Sequence, residues 1–131
     1  MKPSVANWSK PLLVIIMTLA TVVWASVPVQ AADDATFTAV EKDGAKVWEG
    51  GGTVDLKAHG SGPLMFKVKN TLTAEHGFAI DSMKVKEVIK PGEEKTISVP
   101  LENIDKTVTE HKVYCQLHPK HGAATLKVTG N

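Results

Sequence analysis

The 131-residue sequence predicts an all-β domain, an antiparallel sandwich or barrel, and three observations carry the expectation. Short runs rich in β-branched residues recur from residue 36 to residue 130, most of them alternating in polarity. Gly- and Pro-containing turns separate them at short intervals, as in sandwiches and barrels. Helical periodicity is nearly missing, since only "LENIDK", 101 to 106, suits a single helical turn. No internal repeat or low-complexity linker interrupts the pattern.

The first segment is a different kind of sequence. Lys2 and Lys10 precede the uncharged apolar stretch "PLLVIIMTLATVVWASV", and "VQA" at 29 to 31 offers the small residues that a signal peptidase needs. Residues 1–31 therefore read as a secretory signal, with a mature, periplasmic chain beginning near Ala32 and no membrane association after cleavage. The competing reading is an uncleaved anchor, because the apolar run approaches the roughly 20 residues that span a bilayer. Pro28 and the small-residue exit favour cleavage.

Residues 32–131 make one domain, large enough for a modest core. Its strands are expected at "TFTAV" (36 to 40), "TVDLKA" (53 to 58), "LMFKVKN" (64 to 70), "KTISVPL" (95 to 101), "TVTEHKVYC" (107 to 115) and "ATLKVTG" (124 to 130). The turns are "KDG" at 42 to 44, "GGG" at 50 to 52, "HGSGP" at 59 to 63 and "KPGEE" at 90 to 94. Trp48, in "KVWEGG", reads as core or sheet-edge packing, and His59 as a turn residue. Thirteen lysines face fourteen carboxylates in this region, a balance of about −1, which gives nucleic acid nothing to bind. The lysines between Lys84 and Lys95 read as a solvated face.

Cys115 is the only cysteine, so an exported domain of this kind has no internal disulfide, and the thiol must be inert, paired with another chain or bound to something. It stands in "HKVYCQLHPKHG", 111 to 122, with His118 three residues on and His121 three further. Alternation puts Val113 and Cys115 on one face, and Pro119 ends the strand, so the three donors fall at a strand end and on the loop leaving it. Cys-x2-His-x2-His suits a thiophilic transition metal, because a turn can bring a thiolate and two imidazoles to about 2.0–2.3 Å of one ion. The plain alternative is a buried cysteine near two surface histidines. His76, in the loop expected after "LMFKVKN", is the fourth candidate, with Gly77 allowing close packing behind it and Glu75 as an alternative oxygen donor. His111 lies about 13 Å from Cys115 along an extended strand and is no ligand of the same ion.

The order of a histidine on an inner-strand loop, then a late strand ending in Cys-x2-His with a last ligand beyond, resembles the cupredoxins, small exported copper proteins. The block "GFAIDSMKVKEVIKPGEEKTIS" with "YCQLHPK" resembles the nitrosocyanin-like members more closely, from about residue 64 to 128. The resemblance implies a Greek-key β-sandwich holding one copper ion through Cys115, His118 and His121, the last after a two-residue deletion in the loop. His76 stands where the nitrosocyanin-like pattern has glutamate, giving one cysteine and three histidines. No methionine follows His121, and Met83 reads as core, so the site differs from a blue-copper centre with a long axial thioether.

Three neutral imidazoles and a thiolate accommodate both copper oxidation states and also suit tetrahedral zinc; copper(II) is favoured by intrinsic affinity. Four protein donors leave little room for the open position of a hydrolytic zinc enzyme, and no Ser, His and Asp arrangement or paired carboxylate stands out. The expectation is a non-enzymatic copper protein, weak copper oxidation apart. It would serve copper tolerance, as similar exported proteins of bacteria do, or carry electrons to a redox or copper-handling protein partner.

Overall fold

The computed structural model describes residues 32–131, besides the isolated positions 3 and 26; the signal sequence expected over residues 1–31 lies outside the described residues. Among the described residues nine strands form: β1 (Ala35–Lys42), β2 (Ala45–Gly50), β3 (Gly52–Asp55), β4 (Leu64–Asn70), β5 (His76–Ile80), β6 (Val85–Ile89), β7 (Glu94–Val99), β8 (Glu110–Val113) and β9 (Ala124–Thr129). One layer is ordered β2-β1-β4-β7. In the other, the sheet β3-β9-β8 continues into the hairpin β5-β6, because Ala79 and Tyr114 exchange two backbone hydrogen bonds of 2.9 and 3.0 Å.

The chain changes layer between β2 and β3, β3 and β4, β4 and β5, β6 and β7, and β7 and β8, which makes an all-β, Greek-key sandwich of two layers. The sheets are mixed where the sequence suggested antiparallel pairing throughout. Strands β1 and β4 run parallel, as do β3 and β9. The cause is the layer change at "GGG", where Gly50, Gly51 and Gly52 all take positive φ and a Cβ on Gly50 would lie 2.0 Å from Thr36 O. Only glycine passes that point, and the chain enters the second layer alongside β9.

Alternation within the strands supplies the core. Phe37, Phe66, Val68, Ile97 and Val99 come from the first layer; Phe78, Ile80, Val113, Leu126 and Val128 come from the second. Phe37 meets Phe66 edge-on at 5.7 Å and Phe78, across the sandwich, at 5.1 Å. Burying one such side chain contributes about 1.5–3 kcal/mol. Met83 is fully buried in this core, as expected.

Several expectations change, among them "TVTEHKVYC", which is a strand only over Glu110–Val113. "TVDLKA" stops being a strand at Asp55, whose carboxylate accepts from Lys57 N at 3.0 Å and starts one helical turn, α1 (Leu56–His59). "AKVWEG" is a strand, β2, and "HGFAI" and "VKEVI" form a hairpin. His76 consequently opens β5 instead of lying in a loop. "LENIDK" does contain a short 3-10 turn, Leu101–Asn103. Among the described residues no helix is long and apolar enough to cross a membrane.

His59, at the end of α1, is 2.8 Å from Asp34 and holds no metal position. His111 is fully buried, and its Nδ1 lies 2.6 Å from Ser82 Oγ. Burial holds its pKa below the usual value, against the attraction of Asp105. The unfolded chain therefore takes up a proton near pH 6.5 that folded His111 refuses, so stability falls as pH drops below about 6.5 and is flat above it with respect to this group. Urea unfolding of metal-free protein at about pH 5 and pH 7.5 should show this slope, and His111→Gln should reduce it. An unchanged slope would mean that His111 takes up its proton while folded.

Candidate metal centre

Four side chains meet at the end where β8 runs out and β5 begins. His76, Cys115, His118 and His121 each offer a donor atom, and these four atoms all lie within 4.8 Å of one another. The sequence reading named the same four, and Glu75 is exposed outside the cluster. The strand register explains the meeting. Alternation buries His111, Val113 and Cys115 on one side of β8 and its continuation. Tyr114 pairs with Ala79, so the chain running back along β5 brings Gly77 and His76 to Cys115. The turn after Cys115 is tight: His118 N donates to Cys115 O at 3.3 Å and His121 N to His118 O at 3.0 Å. Those two bonds fold the x2 spacings so that both imidazoles face the thiol.

The distances suit a single ion. His76 Nδ1 and His121 Nδ1 are 3.2 Å apart, and Cys115 Sγ and His118 Nδ1 are 3.5 Å apart. Nitrogen donors at about 2.0–2.1 Å and sulfur at about 2.3 Å around a tetrahedral ion stand about 3.3–3.6 Å from one another. All three histidines turn Nδ1 inward, so ligation would leave the proton on Nε2 in each. The rings of His118 and His121 stack at 4.4 Å, and those of His76 and His121 at 4.6 Å.

Electrostatics favour a metal over protons. His76 is 2 % exposed. Burial first, then the charges of His121, His118 and Lys46, lower its pKa to about 4. His121 is lowered by the same kind of causes, burial first, then His118 and Lys46. Both therefore present neutral, ligating nitrogen at neutral pH. Gly77 N donates to Cys115 Sγ at 3.2 Å, which supports negative charge on sulfur.

The sequence reading missed the supports around these residues. Trp48 is buried, as core packing requires, and its indole also donates to Gly77 O at 2.9 Å. Asn70 is buried and fully bonded: its amide donates to Ala74 O at 2.8 Å and Ile89 O at 3.0 Å, and its carbonyl accepts from Leu72 N at 2.9 Å, fixing the loop that leads into His76. Gln116 donates to Glu87 O at 2.8 Å, tying the cysteine turn to β6. A glycine before an apolar run was the one local signal, and it pointed to Gly77 without its partners.

No protein-family model matches the chain, and no curated protein matches it. Among solved structures it is similar to a laccase from Pediococcus acidilactici Pa5930, at 15% identity and a TM-score of 0.48, over 72% of this chain. The match spans 25% of that laccase, about a quarter of its length.

Proposed function

We propose that this chain is an exported copper-binding protein of the nitrosocyanin-like and copper-tolerance kind, which holds or oxidises copper outside the cytoplasm. The observation that carries the proposal is the convergence of one ring nitrogen from each of three imidazoles and one cysteine Sγ within 4.8 Å of one another. Thiolate with imidazole is a donor set that copper(I), copper(II) and zinc accept, and copper(II) stands highest in the affinity order. Bound copper would supply a one-electron couple. The residues supply the rest: Cys115 a negative charge, the histidines neutral nitrogens, and the buried wall at His76 the exclusion of water.

Growth of a strain lacking the protein, across rising copper, tests the role. Copper sensitivity is the expected result, and tolerance equal to the parent strain would contradict it. His121 is expected to be a ligand at the accessible side. His121→Ala should open a position that added azide or imidazole fills, changing the copper(II) spectrum. Identical spectra and affinity with and without His121 would place the fourth donor elsewhere.

Electron transfer is the second reading, and one feature favours it. Leu117, 44% exposed, joins His118, Pro119, Lys120 and His121 around an apolar hollow at the surface. A redox partner seated there would approach two imidazoles directly. On this reading His76→Ala slows electron exchange and leaves copper tolerance at the parent level, whereas under the tolerance reading metal retention and tolerance fall together.

A further inference from the structure

We propose that Trp48 is a positioning residue for the metal, holding the segments that carry His76 and His121 at the separation a single ion requires; the inference rests on the copper-binding reading. Its two N–H groups go to the two segments. The indole Nε1–H donates to Gly77 O at 2.9 Å, one residue past His76, and the backbone N–H donates to Gly122 O at 3.0 Å, one residue past His121. These residues are 45 apart in sequence, yet their Nδ1 atoms are 3.2 Å apart. One residue on β2 therefore spans the junction.

Neighbouring contacts hold Trp48 itself in place. Gly122 N donates to Lys46 O at 2.9 Å, so β2 grips the end of the ligand loop from both sides of Val47. A Cβ on Gly122 would come within 2.6 Å of Val47 Cγ1, which shows how closely the loop lies on the strand. The indole stands edge-on to the His76 ring at 6.3 Å between centroids and edge-on to Phe78 at 5.3 Å. The ring thus has a fixed seat in the core, while its polar edge points at the backbone of β5. A core residue chosen for bulk alone would not need that N–H. The buried Gly77 carbonyl does, since it would otherwise lack a partner on this side.

Trp48→Phe keeps an aromatic ring and removes the indole N–H. Loss of partners that orient metal ligands typically weakens metal affinity about 10- to 100-fold. The full chain carrying Trp48→Phe should bind copper(II) more weakly by that factor and show a shifted sulfur-to-copper absorption band and altered copper(II) paramagnetic resonance parameters. Val128→Ala, buried at the far end of β9, serves as the control for general destabilisation. It should lower the unfolding midpoint and leave copper affinity within about 2-fold, with an unchanged spectrum. If Trp48→Phe fails to fold, benzothienylalanine at position 48 keeps the ring shape without the N–H, with the same expected shift.

Wild-type affinity and spectrum in a folded Trp48 variant would overturn the positioning role while leaving the copper reading intact. So would an equal loss of affinity in the Val128→Ala control, which would make the effect one of stability alone. Failure of the wild-type chain to take up copper would overturn both.

Discussion

Cys115→Ser is expected to weaken copper(II) binding by more than about 100-fold, beyond the 10- to 100-fold that follows loss of a residue merely orienting a ligand. Serine is close in size to cysteine, so the buried site keeps its shape. Its hydroxyl stays protonated and is a hard, weak donor, so the single anionic ligand disappears. Gly77 N–H, now 3.2 Å from sulfur, is left facing a smaller acceptor. Competition titration against a chelator of known affinity measures the loss, and visible absorption should lose its sulfur-to-copper band at the same time. A variant that retained the band or the affinity would show that the thiol is not a ligand.

Gly77→Ala should cost about 2–3 kcal/mol of stability, the upper part of the range for overpacked sites, and should disturb the metal site as well. A Cβ there would lie 2.1 Å from Gln116 Oε1 and 2.9 Å from Gln116 N. The side chain can swing away, but the backbone nitrogen belongs to the turn that carries Cys115, so that turn must move. Gly77→Ala combined with Gln116→Ala should recover only part of the loss, since the backbone contact persists. Urea unfolding of the single and double variants measures this. Wild-type stability in Gly77→Ala would mean that β5 and the cysteine turn are held together less tightly than their contacts indicate.

These two residues also mark where sequence reading succeeds and where it stops. Cys115, His118 and His121 are close in sequence, and a strand ending before a proline is enough to place them on one turn. The exposed-to-buried alternation of β4 and β9 is equally local, which is why "LMFKVKN" is a strand over its whole expected length and "ATLKVTG" is one up to Thr129. Strand β5 gave no such signal. His76, Gly77, Phe78, Ala79 and Ile80 are all buried, so polarity never alternates and the run looks like a loop leading to an apolar patch. In β2 only Trp48 is fully buried, leaving a strand with a polar surface pattern. The helical turn α1 depended on one carboxylate, Asp55, capping its own chain. The pairing of Trp48 with both Gly77 and Gly122 is a product of topology, because β2 meets β5 and the ligand loop only after the Greek key has closed. The loop after "LMFKVKN" offered His76 as a fourth donor, and register supplied the reason it reaches Cys115.

On the proposed function, one copper ion is held by one sulfur and three imidazole nitrogens. X-ray absorption at the copper edge, on protein loaded with one equivalent of copper(II), tests it directly. The predicted result is a single sulfur neighbour at about 2.3 Å and three nitrogens at about 2.0–2.1 Å, with the outer-shell scattering of imidazole rings. A copper shell of oxygen and nitrogen alone, or uptake of zinc with no copper held, would contradict it.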